Sequence, residues 1–232
     1  MPLFGFDSTI ILLLPAMAFA MWAQWKVQHT YAQMSKVRAA NGMTGTAMAK
    51  SIMRTNGVTD VKVEEVGGVL SDHYDPRSKT VRLSASTARG DSLASIAVAA
   101  HEVGHVLQHA QGYPGLAIRS AIAPVASIGS MAAFPLFFIG LLFNMPGLSG
   151  TLMNLGILLF AGAVVFHLVT LPVEFDASKR ALAQLTSSGS IAPQEVEGAK
   201  KVLDAAALTY VAAAAMAALQ LVRLIMIRNS RD

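Results

Sequence analysis

The chain has 232 residues, 53% of them hydrophobic and only 14% charged, with a formal net charge of +4. Soluble proteins carry about 25% charged residues, and the apolar residues here come in long blocks, so the composition indicates a membrane protein rather than a large soluble domain. The modest positive charge is explained by basic loops beside an anionic bilayer and gives no reason to expect a nucleic acid partner. The absence of cysteine excludes disulfides and thiolate ligands, so any metal ion would have nitrogen and oxygen ligands.

The first apolar block, 8–25, contains no charged residue and is just long enough to cross a bilayer. The basic residues Lys26, Lys36 and Arg38 follow this block and none precedes it, whereas a signal peptide has its basic residues in front. The pattern therefore predicts that residues 1–25 form a retained transmembrane anchor with its N-terminus outside the cytoplasm.

Residues 26–119 are more polar and predict a water-exposed α+β region. Helical periodicity is followed there by β-type alternation, which predicts two helices, a strand and a longer extended segment, at 29–40, 44–56, 61–66 and 69–84. The extended segment turns at 75–78, and the alternation at 80–84 predicts a half-buried edge strand. Such an edge can pair with an extended peptide substrate, but its basic residues equally suit an edge that is protected from pairing.

The most informative stretch is the sequence His-Glu-Val-Gly-His at 101–105, inside a segment that predicts one continuous helix at 92–111. Residues four apart share a helical face, so His101 and His105 can offer two imidazole nitrogens to one metal ion. Glu102 is then placed to act as the general base of a zinc-dependent hydrolase.

Two further apolar blocks, 120–143 and 151–171, predict a transmembrane helical hairpin over 120–171. Pro124 and Pro135 interrupt the first block, which helices in a membrane tolerate. The turn between the blocks is uncharged, so we expect it outside, with both ends of the hairpin on the basic, cytoplasmic side.

The last part of the chain divides into a polar helical segment, 172–204, and an apolar C-terminal helix, 205–232. If the C-terminal helix at 205–232 spanned the bilayer, Arg228 would lie outside, against the positive-inside tendency. The sequence therefore leaves open whether 205–227 spans or packs in the bundle. The predicted fold class is a multi-spanning α-helical membrane protein with a small α+β zincin-like catalytic domain, an HExxH helix plus a short β-hairpin, on the cytoplasmic side.

A catalytic zinc ion needs a third protein ligand, and Glu174 is the best candidate because the hairpin returns the chain there to the membrane face that the metal helix left. Asp176 is the rival ligand and points to a different helical face. His109 lies about 12 Å along the helix axis from His101 and cannot share its ion. It therefore supports the ligands from behind, contacts substrate, or is simply an interfacial histidine. His167 either orients a ligand or simply packs at the interface.

These residues together predict peptide hydrolysis at a Zn²⁺ ion held by His101, His105 and Glu174, with Glu102 as general base. A neutral donor is also needed to stabilise the oxyanion, and the candidates are Tyr210, His73 and His109.

Five stretches carry a resemblance to a known family: Leu70-Ser-Asp-His-Tyr-Asp-Pro-Arg77, Val81-Arg-Leu-Ser84, Ala99-Ala-His-Glu-Val-Gly-His-Val-Leu-Gln-His109, Leu171-Pro-Val-Glu-Phe-Asp-Ala-Ser178 and Val202-Leu-Asp-Ala-Ala-Ala-Leu-Thr-Tyr-Val211. Through them the chain resembles the YugP-type family of membrane zinc metallopeptidases, and its plan is similar to that of HtpX and the CAAX prenyl proteases. The resemblance covers nearly the whole chain and implies zinc-dependent endopeptidase activity at the membrane.

One position departs from the pattern of these relatives, which usually place an aspartate four residues after the third ligand, behind the metal site. Here that position is Ser178. The resemblance therefore leaves open which carboxylate supports the ligands, and the available ones are Asp176, Asp72 and Asp75.

The alternative functions are a catalytically silent, zinc-stabilised scaffold or adaptor, and a metal carrier. A structural zinc site has no use for Glu102, and a carrier predicts more polar residues within the spans. We therefore expect a multi-pass protease of the plasma (inner) membrane whose active site faces the cytoplasm. Its expected partners are the lipid bilayer and a peptide or membrane-protein substrate, without nucleic acid, and an oligomer or a regulatory membrane partner is left open.

Overall fold

The computed structural model describes residues 8–143, 147–187 and 189–230. Seven α-helices and three strands follow one another along these residues, with short 3-10 helices at Ser8–Leu13 and Pro193–Glu195: α1 (Leu14–Met34), α2 (Gly45–Thr55), β1 (Lys62–Val66), β2 (His73–Asp75), β3 (Thr80–Ser84), α3 (Ala85–Arg89), α4 (Leu93–Ala110), α5 (Pro114–Leu142), α6 (Ser149–Ser187) and α7 (Val196–Asn229). Within the described ranges, four helical segments are long and apolar enough to cross a membrane, and they contain α1, α5, α6 and α7. The chain is therefore a mostly helical membrane protein with a small sheet.

The membrane unit comprises the described residues of 1–23, 118–171 and 210–232. Its helices α5 and α6 approach closely at Gly156, where an added Cβ would lie 2.7 Å from the carbonyl oxygen of Ala133. Small residues that admit such close backbone contact are typical of helix packing in membranes. Large apolar side chains such as Val125 and Met131, 73% and 75% exposed, suit contact with lipid.

The C-terminal helix α7 takes part in this bundle. Ala217 and Leu224 are buried in one cluster with side chains of α5 and α6, and Arg228 donates to the side-chain oxygen of Asn154 at 3.0 Å. The helix is thus packed in the bundle and is also long enough to span.

The second unit, 24–117 with 172–209, contains the three-stranded sheet, whose strand order is β1-β3-β2. Strand β1 runs parallel to β3 and β2 runs antiparallel to it, with Lys62 opposite Thr80 and His73 opposite Arg82. The turn between β2 and β3 matches the predicted hairpin. A core of apolar side chains from α2, β3, α4 and the polar end of α6 closes this unit.

The prediction that 80–84 is an edge strand is wrong, because β3 is the central strand and β2 lies at the edge. The alternation was misleading because two of the three polar residues of β3, Thr80 and Ser84, are buried like the apolar ones. The hydroxyl of Thr80 donates to the carbonyl oxygen of Ser78, and Ser84 contacts Asp72 through both its hydroxyl and its backbone N–H. Satisfied hydrogen bonds let polar groups take core positions.

One predicted element boundary is also corrected. No separate helix occupies 29–40: α1 continues to Met34, and residues 37–39 then pair with the start of α4, where Leu93 N–H donates to Val37 O at 2.8 Å. Helix α6 runs through Pro172 as one helix of 39 residues, so the predicted division between 171 and 172 lies inside a helix. Proline inside a helix is tolerated where neighbouring groups satisfy the freed backbone.

Candidate metal centre

Helix α4 presents two histidines on one face, as its sequence predicts. The Ser92 hydroxyl accepts a hydrogen bond from the N–H of Ser95 at 3.2 Å and caps the helix, and Gly112, with φ of +65°, follows its end. The rings of His101 and His105 stand 4.9 Å apart, centroid to centroid, with their planes at 84°. This spacing follows directly from their separation of one helical turn.

Helix α6 lies against α4 at Gly104, between the two histidines. A Cβ at this position would lie 2.4 Å from the carbonyl oxygen of Ala177, so no residue with a side chain fits without moving one helix. This backbone contact brings the preceding turn of α6, which carries Glu174, opposite the histidines.

The carboxylate of Glu174 meets both imidazoles. Its Oε2 lies 3.2 Å from Nε2 of His101 and 3.5 Å from Nε2 of His105, and Glu174 is only 2% exposed. Ligands of a tetrahedral zinc ion, each about 2.0–2.1 Å from it, lie about 3.3 Å apart, so these separations suit one ion. Two imidazole nitrogens with one carboxylate oxygen are also a donor set of catalytic zinc. The residues present therefore fit a zinc ion.

The rival ligand Asp176 is not part of this group. Its Oδ2 accepts hydrogen bonds from Gln108 and Arg180. An acidic side chain engaged by a guanidinium and an amide is compensated without a metal.

Glu102 is buried beside the histidines and faces the sheet. The backbone of Tyr74 in β2 lies close enough to this carboxyl to lower its pKa, so the edge strand runs next to the candidate base. Burial raises the pKa of Glu102 to about 7, with His101 opposing the shift and the charges of Glu174 and Asp72 adding to it.

Each histidine also has a partner behind its other ring nitrogen. Nδ1 of His105 lies 2.9 Å from Oε1 of Gln108, and Nδ1 of His101 lies 3.2 Å from the hydroxyl of Ser178. Because Gln108 in turn donates to Asp176, Asp176 is the carboxylate, of the three considered, that these contacts join to a histidine. Gln108 was not predicted as a site residue. Its position three residues after His105, on the same helical face, is the one signal in the sequence that points to it.

The other two candidate carboxylates hold the hairpin. Asp72 accepts from the backbone N–H of Ser84 at 2.8 Å. Asp75 accepts from the Ser78 hydroxyl and from the backbone N–H of Arg77, at 2.7 and 2.9 Å. Both therefore shape the loop beside the site.

The other histidines that the sequence singled out are not members of this group of candidate ligands. His109 is exposed, and its Nδ1 lies 2.7 Å from the hydroxyl of Tyr74, beside a cavity of about 100 Å³. His73 is exposed in β2, with Nδ1 2.8 Å from the carbonyl oxygen of Ser71. Tyr210 and His167 lie in the membrane unit, on α7 and α6. A role for Tyr210 or the others in stabilising an oxyanion stays a prediction.

The chain is similar to a known protein family and to a curated protein. The family model described as "Putative neutral zinc metallopeptidase" matches residues 9–229. The curated protein "Putative membrane protease YugP" of Bacillus subtilis (strain 168) is 47% identical over 224 residues, which cover 96% of this chain and 98% of that protein. No solved structure matches the chain significantly.

The close approach of α6 at Gly104 should make this position intolerant of a side chain. Gly104→Ala inserts a methyl group against the α6 backbone and should destabilise the protein by about 1–3 kcal/mol, the usual cost of overpacking. It should also lower zinc retention, because Glu174 moves away from the histidines. Thermal unfolding in detergent and metal analysis after chelator challenge measure both effects.

The matched control is Gly162→Ala in α6, where an added Cβ meets nothing within 4 Å, and it should leave both quantities unchanged. Equal behaviour of the two alanine variants would contradict the close approach of α4 and α6.

Proposed function

The chain belongs to the neutral zinc metallopeptidase family, and on this premise we propose that it is a membrane-embedded endopeptidase that hydrolyses peptide bonds with zinc bound by His101, His105 and Glu174. The observation that carries the proposal is the convergence of one ligand atom from each of these residues to within 4.8 Å. The printed name of the Bacillus subtilis relative, a membrane protease, supports the same activity.

In this proposal, metal binding and proton transfer are carried out by different residues of the chain. The two imidazoles and the Glu174 carboxylate hold the metal, which when bound supplies Lewis acidity that makes water more acidic and polarises a carbonyl group. Glu102 accepts a proton from the attacking water and gives it to the leaving amine. A silent scaffold would have no need of this carboxyl beside the ligands, so we favour the enzyme.

The substrate is proposed to bind as an extended peptide along β2. This strand is at the edge of the sheet, and the backbone of Tyr74 lies close enough to Glu102 to lower its pKa, so a peptide added to that edge would pass close to the base. Main-chain hydrogen bonds to an edge strand provide affinity without requiring a particular sequence. This role falls to His73–Asp75 rather than to the predicted strand at 80–84.

We further propose that the protein resides in the plasma (inner) membrane with the metal centre facing the cytoplasm. The support is the position of Lys26, Lys36 and Arg38 directly after the first apolar block. Its substrate would then be a cytoplasmic peptide segment or a membrane protein with such a segment.

The general-base assignment is tested by Glu102→Gln. The amide cannot accept the proton, so peptide-library cleavage by purified protein should fall by about 10²–10⁴-fold, while zinc content stays at the wild-type level because the ligands remain. Cleavage at the wild-type rate would show that another group is the base.

The third ligand is tested by comparing Glu174→Ala with Asp176→Ala. Loss of a direct ligand should weaken zinc affinity by more than the about 10–100-fold typical of groups behind the ligands, whereas Asp176→Ala should retain most of the metal. Zinc stoichiometry in detergent after chelator challenge ranks the two, and the reverse ranking would make Asp176 the ligand.

The orientation is tested by single cysteines in this cysteine-free chain. Ser78→Cys and Ser187→Cys, both at exposed positions of the unit with the metal centre, should resist an impermeant thiol reagent in intact cells and react after permeabilisation. Leu148→Cys, at the predicted external turn, is the control that should react in intact cells. Reaction of either of the first two in intact cells would contradict the topology.

A further inference from the structure

Gln108 is a fully buried polar side chain in α4 whose three hydrogen bonds all reach the metal centre or its support. The exposed fraction of Gln108 is 0%. Its Nε2 donates to the carbonyl oxygen of Val173 and to Oδ2 of Asp176, each at 2.8 Å, and its Oε1 lies 2.9 Å from Nδ1 of His105. Burying an amide gains nothing over an apolar side chain of the same size unless its hydrogen bonds are used.

These partners allow the Gln108 amide only one orientation. Its NH₂ group faces a backbone carbonyl and a carboxylate, and both of these groups only accept hydrogen bonds. A flipped amide would set its own oxygen against those two acceptors. The Gln108 oxygen must therefore face His105, and the hydrogen atom of that contact must come from Nδ1 of His105.

The protonation site of His105 follows. A neutral imidazole carries one hydrogen, so with Nδ1 protonated the lone pair is on Nε2, the atom 3.5 Å from Glu174 Oε2. His101 lacks such a constraint, because its Nδ1 contact is the Ser178 hydroxyl at 3.2 Å, and a hydroxyl can donate or accept. Of the two histidines, His105 is therefore the one whose ring is set by its neighbour.

The same amide also bears on the third ligand. Val173 and Asp176, the acceptors of Gln108, flank Glu174 in α6. The Gln108 side chain thus hydrogen-bonds both to the His105 ring on its own helix and to the turn of α6 that carries Glu174. Asp176 is itself engaged by Arg180, which keeps it an ionised acceptor for the Gln108 amide.

We propose that Gln108 is the positioning residue of the metal centre: its amide, anchored by Asp176 and the Val173 carbonyl, fixes the Nδ1-protonated form of His105 and so directs Nε2 to the metal. The inference rests on the proposed function, in which His105 is a zinc ligand. Gln108 here stands between a carboxylate and a metal-binding histidine, which elsewhere contact each other directly.

The experiment compares Gln108→Met, which keeps the length and bulk of the side chain but makes none of its hydrogen bonds, with Gln184→Met. Gln184 contacts Asn56 and serves as the matched control. Zinc affinity of the full-length protein in detergent, measured by competition with a chelator, should fall about 10–100-fold in Gln108→Met and stay at the wild-type value in Gln184→Met. Asp176→Ala should fall between them, because the Val173 carbonyl still holds the amide.

A second measurement reports the histidine directly. In zinc-loaded, ¹⁵N-histidine-labelled wild-type protein, long-range ¹H–¹⁵N correlations should show Nδ1 of His105 carrying a hydrogen-bonded proton, and this signal should shift in Gln108→Met and persist in Gln184→Met. A merely structural glutamine would leave it in place. The same spectrum of metal-free wild-type protein needs no variant to fold, and it tests the inference even if Gln108→Met is unstable, because without zinc only the protein sets the position of the proton.

The outcomes separate this inference from the proposed function. If His105 carries its proton on Nε2, or if Gln108→Met binds zinc as tightly as the wild type, Gln108 does not position the ligand. If the wild type binds zinc and obeys the affinity order but cleaves no peptide, the proposed activity fails while the role of Gln108 stands.

Discussion

The backbone contact between α4 and α6 at Gly104 and Ala177 is the constraint on which the rest of the site depends. A helix can present two histidines by itself, but the third donor must come from elsewhere, and only close approach of a second backbone brings a side chain as short as glutamate within reach. The absent side chain at position 104 is what permits that approach. The buried amide of Gln108, bonded to Val173 and Asp176, then holds the two helices in register.

The elements whose signals lie within a short stretch of sequence could be predicted from the sequence. The helix at 92–111, the apolar blocks and the hairpin turn follow from periodicity, capping and turn residues, and the position of Glu174 beside the histidines follows from how the intervening apolar blocks return the chain. The edge-strand prediction at 80–84 failed because Thr80 and Ser84 are buried and hydrogen-bonded, and alternation alone cannot distinguish a solvated polar face from a satisfied one.

Gln108 shows the other limit of reasoning from sequence. Histidine and glutamate are natural candidates for a site because they bind metals and transfer protons. His109 was a candidate for that reason, although its ring contacts Tyr74 at the surface. The neighbouring glutamine is chemically ordinary, and its proposed role arises from what α6 places against it: the Val173 carbonyl and the Asp176 carboxylate, on either side of the proposed ligand Glu174. This role depends on how α6 packs against Gln108, so it cannot be predicted from the residue type alone.

The order of the proposed ligands along the chain has a consequence for biosynthesis. His101 and His105 precede α5, and Glu174 follows the apolar part of α6, so a ribosome delivers the histidines long before the glutamate. A nascent chain that ends before Glu174 offers only two of the three proposed donors. Under the proposed function, the set of ligands is therefore complete only after α5 and the apolar part of α6 have been made, and the translation machinery is not exposed to a working protease before that point.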